Sequence, residues 1–177
     1  VSRAAGNLTF PAKFTLVAAM NPCPCGFLGD SERSCVCSAA QVISYRKKVS
    51  GPILDRIDLH VEVPRLGFDK LSSETAAESS ADIKRRVEAA RERQRLRFNG
   101  LPYITNSEMS SAIARQQCRL DAASAKLMQT AVNRLNLSAR AYFRVLKLAR
   151  TIADLAASPA VESVHIAEAL QYRPKLE

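Results

Sequence analysis

No apolar run in this 177-residue chain approaches the ~20 residues that a membrane span needs, and no charged-then-apolar leader pattern is present. The expected location is therefore the cytoplasm. Acidic residues are scarce: 17 Asp and Glu stand against 26 Lys and Arg, a net charge of +9. Such a balance favours polyanionic partners such as nucleic acid, nucleotide or an anionic surface, without choosing among them. No Gly-x-x-x-x-Gly-Lys-Ser/Thr stretch occurs, so the loop that cradles nucleotide phosphates is missing. No apolar run ends in Asp-Glu, so the usual magnesium-binding acid is missing too. No internal repeat is visible. The sequence opens Val1-Ser2-Arg3-Ala4 without an initiator Met, which reads as an excised piece of something longer, and Leu176-Glu177 reads as a vector remnant.

What is present centres on residues 14–37. The run Phe14-Thr15-Leu16-Val17-Ala18-Ala19-Met20 is short and apolar without alternation. It reads as a central strand covered on both faces, with a buried helix as the alternative. Pro22 cannot extend a ladder, so the strand should stop near Asn21. Ligands of open α/β sheets bind at such strand ends, although a turn-forming Asn accounts for Asn21 taken alone. A short extended segment or hairpin is expected before it, at Asn7 to Phe10.

Four cysteines follow at once, as Cys23-x-Cys25 and Cys35-x-Cys37. Two short pairs brought together supply the four sulfurs of a tetrahedral zinc site. Cys-x-Cys is tighter than the usual Cys-x-x-Cys, and four structural thiols near a turn are the competing reading. A loop rich in Pro and Gly cannot bury four free thiols, which favours the metal. Cys118 reads as a lone core thiol.

Ser38 should cap a helix from Ala39 to about Lys48, broken at Ser50-Gly51-Pro52. Residues 53–57 allow one more helical turn, and Asp58 to Val63 alternate like a half-buried strand ended by Pro64. Arg56 lies between the two; it can offer a planar fork to phosphate, or pair with Asp55 or Asp58. Residues 65–81 form a polar connector. Helices are then expected at Asp82–Phe98, from Asn106 or Ser107 to Gln117, from Asp121 to Leu135, at Ala139–Ala157 behind a Ser138 cap, and from Ser163 to Tyr172. The Ala139–Ala157 helix has the clearest apolar spacing, at Tyr142, Val145, Leu146, Ala149, Ile152 and Ala153. Arg140, Arg144 and Lys147 lie opposite that stripe. Arg140 sits in the first turn, where a cation opposes the helix dipole. The charged helix from Asp82 presents Lys84, Arg85, Arg91 and Arg95 for a nucleic-acid backbone, or else is a solvated face with i,i+4 pairs.

Together, LVAAMNPCPCG (16–26), the Cys35-Val-Cys37 pair, SGPILDRIDLHVEVP (50–64), LSARAYFRVLKLARTIADL (137–155) and the closing Ala-Leu-Gln-Tyr-Arg resemble the magnesium-chelatase-related AAA+ ATPases of the ComM/YifB group. The likeness covers nearly the whole chain. It implies a mainly α fold: the C-terminal part of an AAA+ α/β core with few strands (1–68), then a helical-bundle lid (69–177). By resemblance, Asn21 is sensor 1, Arg56 an arginine finger acting in trans and Arg140 sensor 2. ATP and magnesium would be the full-length protein's cofactors, its own subunits in a homohexamer and DNA its partners. The ComM type is associated with DNA branch migration during transformation, the chelatase type with metal insertion into porphyrin. A non-enzymatic basic module that binds DNA or protein is a third reading. Without the phosphate loop and the metal acid, this chain alone is expected neither to bind ATP tightly nor to hydrolyse it. Residues 1–64, lacking several sheet strands, are expected to be less well ordered than the lid.

Overall fold

The computed structural model describes residues 2–3, 6–10, 12–54, 56–65 and 77–173, so Asp55, most of the 65–81 connector and Leu176-Glu177 lie outside the described residues. The chain divides into two compact units, Val1–Lys48 and Val49–Glu177.

The first unit has little apolar core. Its strands are a two-residue antiparallel pair, β1 (Ser2–Arg3) and β2 (Gly6–Asn7). The central strand expected at 14–20 does not form: the segment has no ladder, and Phe14, Leu16, Val17 and Met20 are exposed, Val17 by 89%. The reason is physical. An apolar strand is stable only when neighbours satisfy its backbone and cover its faces, and no other described segment runs alongside it. The single fully buried side chain among the unit's described residues is Cys23. Helix α1 (Ala39–Arg46) follows the cysteine loop. Ser38 accepts from the Gln41 N–H while Gln41 Oε1 accepts from the Ser38 N–H, a reciprocal cap.

The second unit is a helical bundle. A single turn, α2 (Gly51–Leu54), precedes residues 57–63. Those residues are not a strand either, and Leu59, Val61 and Val63 are exposed. The alternation is real, but it has no sheet to join. The bundle proper comprises α3 (Ser80–Arg97), a 3₁₀ turn at Asn106–Glu108, α4 (Ser111–Gln117), α5 (Ala122–Leu135), α6 (Ala139–Leu155) and α7 (Ser163–Gln171). Helix α6 is its centre and packs on α3, the 3₁₀ turn, α4 and α7. Val145, Leu146, Ala149, Ile152 and Ala153 of α6 are buried, joined in the core by Phe98, Met109, Met128, Val161 and Ile166. Burying each such large aliphatic side chain contributes roughly 1.5–3 kcal/mol. The ends are chemically marked. Ser138 caps α6, Asp121 caps α5 and Ser110 caps α4. The left-handed Ala157 (φ 58°) closes α6, with the Ser158 N–H donating to the Ala153 carbonyl at 2.8 Å. Among the described residues no helix is long and apolar enough to cross a membrane.

Candidate metal centre and arginine positions

The cysteine loop is built from two tight turns. The Gly26 N–H donates to the Cys23 carbonyl at 3.0 Å, and Gly26 takes φ +83°, which a side chain would resist. Between the pairs, Asp30 Oδ1 accepts from the N–H groups of Glu32 and Arg33 at 2.8 and 2.9 Å, folding the chain back. The sulfurs consequently converge. Cys23 Sγ lies 3.4 Å from Cys25 Sγ and 3.7 Å from Cys35 Sγ, Cys25 to Cys35 is 3.6 Å, and all four sulfurs lie within 4.8 Å of one another. A tetrahedron of sulfurs at about 2.3 Å from zinc has edges of about 3.8 Å, so the spacing fits a four-thiolate cation site.

The backbone prepares these sulfurs for negative charge. N–H groups of Phe27 and Val36 face Cys25 and hold its thiol down at about 6. Burial works against ionisation of Cys23, yet N–H groups of Leu28 and Gly26 help bring it below the usual thiol range. The Cys25 N–H favours a charged Cys37, but burial and the adjacent sulfurs push that thiol up to about 12. Cys35 accepts the Cys37 N–H at 3.4 Å; burial and the sulfurs of Cys25 and Cys23 nevertheless raise it. Ionising one thiol therefore opposes ionising the next, and a divalent cation in the middle removes that opposition.

Asn21 is an exposed residue of the first unit, its amide 4.0 Å from where a Cβ on Gly26 would stand. Arg56 and Arg140 both belong to the second unit. Arg56 is exposed and donates through Nη1 to the Pro52 carbonyl at 2.9 Å, closing the α2 turn on itself. Asp58, one of the two acids weighed for it, pairs with Arg144 at 3.3 Å; the other, Asp55, lies outside the described residues. Arg140 is exposed in the first turn of α6 and makes no hydrogen bond or ion pair with another described residue.

On α3, Lys84 pairs with Glu88 at 3.7 Å, Arg85 with Asp82, and Arg95 with Glu92, while Arg91 is exposed. These are solvated i,i+3 and i,i+4 pairs of modest strength.

The sequence reading missed a buried polar knot in the bundle. Asp154 of α6 is fully buried. Its carboxylate accepts from both Arg97 Nη atoms, from Asn106 Nδ2 at 2.8 Å and from Arg150 Nε at 3.2 Å. Arg150 also donates to the carbonyls of Ser158 (2.6 Å) and Pro159 (3.0 Å), pinning the turn after α6. Arg150 and Asp154 are i,i+4 partners within the apolar stripe, and that placement was the available signal.

Residues 1–71 match the family of magnesium chelatase subunit ChlI, and residues 77–173 match its C-terminal family; the chain belongs to this magnesium-chelatase-related AAA+ group. It is 43% identical over 176 residues to YifB of Escherichia coli K12, a match covering 98% of this chain and 33% of YifB. It is 41% identical over 175 residues to the competence protein ComM of Haemophilus influenzae, covering 98% of this chain and 33% of ComM. YifB of Salmonella typhimurium is 39% identical over 175 residues, again across 98% of this chain and 33% of the relative. The chain thus spans about a third of the length of the curated relatives it matches.

Proposed function

We propose that this chain is the arginine-bearing and lid portion of a ring-forming, ATP- and magnesium-dependent motor that remodels DNA in the manner of the ComM type, with a zinc ion held by its four cysteines. The likeness to the competence protein ComM across 98% of the chain, cysteine loop included, carries the DNA reading, and the net charge of +9 agrees with it. ATP-driven metal insertion into porphyrin is the second reading, since both family matches bear the chelatase name.

In the motor, the phosphate loop and the magnesium acid come from outside this sequence. The chain's own part is electrostatic. Arg56, at the end of a closed turn, offers its guanidinium to the γ-phosphate of a neighbouring subunit, and Arg140 offers an exposed cation from the lid. Asn21 orients the attacking water. Zinc would bind Cys23, Cys25, Cys35 and Cys37 in a closed, structural site that supplies cross-linking rather than catalysis. It is the natural centre for a unit with so little apolar core. Of the four α3 cations weighed for DNA, Arg91 has no ion pair among the described residues, so DNA contact through Lys84, Arg85 and Arg95 requires those weak pairs to exchange acid for phosphate.

In the full-length protein, Arg56→Ala and Arg140→Ala should each lower ATP turnover on the order of 10³-fold with the fold intact. Lysine should not rescue either, because a point charge lacks the planar fork. The full-length protein should extend branched DNA heteroduplex in an ATP-dependent way. Turnover that drives porphyrin metallation and leaves branched DNA untouched would transfer the assignment to the chelatase reading.

A further inference from the structure

We infer that Asp58 and Arg144 form a latch that sets the position of Arg56 from the helical bundle, making both of them positioning residues for the hydrolysis step. The inference rests on the reading of Arg56 given under Proposed function.

Arg56 sits in a short stretch that is fixed at both ends. On its N-terminal side, the N–H groups of Ile53 and Leu54 donate to the Ser50 carbonyl, and Arg56 Nη1 returns to the Pro52 carbonyl. Downstream, three contacts tie the stretch down. Asp58 Oδ1 meets Arg144 Nη1 at 3.3 Å. The His60 N–H donates to the Tyr172 carbonyl at 2.9 Å, at the end of α7. The His60 ring Nε2 lies 3.2 Å from the Leu54 carbonyl, so the stretch is also closed across itself. Arg56 is thus two residues from a carboxylate held by α6 and four from a backbone bond held by α7.

The charges facing Asp58 come from α6. Arg144 is partly buried, with 21% of its side chain exposed, so its guanidinium is pre-placed, whereas Asp58 is 61% exposed. Lys147, one turn on, also feels the Asp58 charge, while it donates through Nζ to the Ser107 carbonyl at 3.0 Å. Arg140 lies one turn before Arg144 on α6, at i,i−4 spacing. A tilt of α6 therefore moves Arg140 directly and Arg56 through Asp58. The two arginines assigned to nucleotide are linked through the Asp58–Arg144 ion pair, which makes the helical bundle a lever on both.

The magnitude is bounded by exposure. A partly solvated pair of this kind is a weak tether, worth far less than a cation on the reacting phosphate. Loss of the latch should therefore tune turnover, and loss of Arg56 should abolish it.

The test uses the full-length ATPase. Asp58→Asn and Arg144→Gln should each lower kcat about two- to five-fold with KM for ATP unchanged. The double variant should be no worse than the poorer single variant, because the Asp58–Arg144 pair is already lost in either one. Asp58→Glu should recover most of the rate. Hydrogen exchange supplies a readout that does not depend on hydrolysis: Asp58→Asn should speed exchange of the His60 amide several-fold while amides within α6 stay protected. Normal kcat and unchanged His60 exchange in Asp58→Asn, with Arg56→Ala inactive, would overturn the latch and leave the arginine assignment standing. Normal turnover in Arg56→Ala would overturn both.

Discussion

Asp154 carries the greatest concentration of interactions at the level of a single residue. A fully buried carboxylate that receives Arg97, Arg150 and Asn106 is stable only while all of them are present. Removing it leaves two guanidinium groups in the interior without a counter-charge. Asp154→Ala should therefore cost about 3–5 kcal/mol, read as a lower midpoint in urea unfolding of the chain. Asp154→Asn should cost nearly as much, since the amide keeps the shape and loses the charge. A midpoint within error of the parent would show that solvent reaches the knot. Cys118 makes a useful internal reference at this scale. Burial pushes its thiol up to about 11, so it should react with a thiol reagent far more slowly than the half-buried Cys25 of the cysteine loop in metal-free protein.

At the scale of elements, the helix ends were legible and the strands were not. Ser138, Asp121 and Ser38 cap the helices that follow them, because a cap is a local event settled by three or four neighbouring residues. The start of α3 moved to Ser80, as Ser79 takes the cap that the sequence reading gave to no residue, and Glu162 caps α7 just before the expected Ser163 start. The helix expected from Asn106 to Gln117 is broken at Met109 and Ser110, where Ser110 begins a new cap. Residues 14–20 and 58–63 have the composition and period of strands, yet strand formation depends on partners distant in sequence. The sulfur cluster could be read from Cys-x-Cys spacing, whereas the role of Asp58 could not, because its partner Arg144 is 86 positions away. The Ser124 N–H on Asp121 holds that carboxyl below its ordinary range. The contribution of the cap is thus complete above the ordinary carboxylate range near pH 4 and disappears as pH falls through the lowered folded value. The stability gap between parent and Asp121→Ala, measured by thermal melts, should narrow below pH 4 rather than widen. Ala157, held at φ 58°, should gain about 1 kcal/mol as Ala157→Gly, seen as a raised melting temperature.

For the whole molecule, the two units are organised by different chemistry. The bundle has a shared apolar core around α6, whereas the first unit is gathered around four sulfurs. Protein prepared without chelator should hold one zinc per chain. Stripping it should expose residues 23–48 to protease while the far-ultraviolet signal of the bundle helices persists. Absence of zinc, with all four thiols freely titratable, would refute the metal site. ATP hydrolysis by the chain alone, surviving purification and lost on changing one of its own residues, would contradict the division of labour proposed for the motor.

The bare segment Phe14–Met20 has a consequence for the behaviour of this chain in solution. It is seven residues long, uncharged, free of Gly and Pro, and exposed along its length. Such a sequence is a template for cross-strand stacking between molecules. Concentrated samples should form thioflavin-positive aggregates with a lag that shortens as protein is added. Leu16→Lys with Val17→Lys, substitutions at positions that carry no packing here, should suppress them without lowering the melting temperature of the bundle.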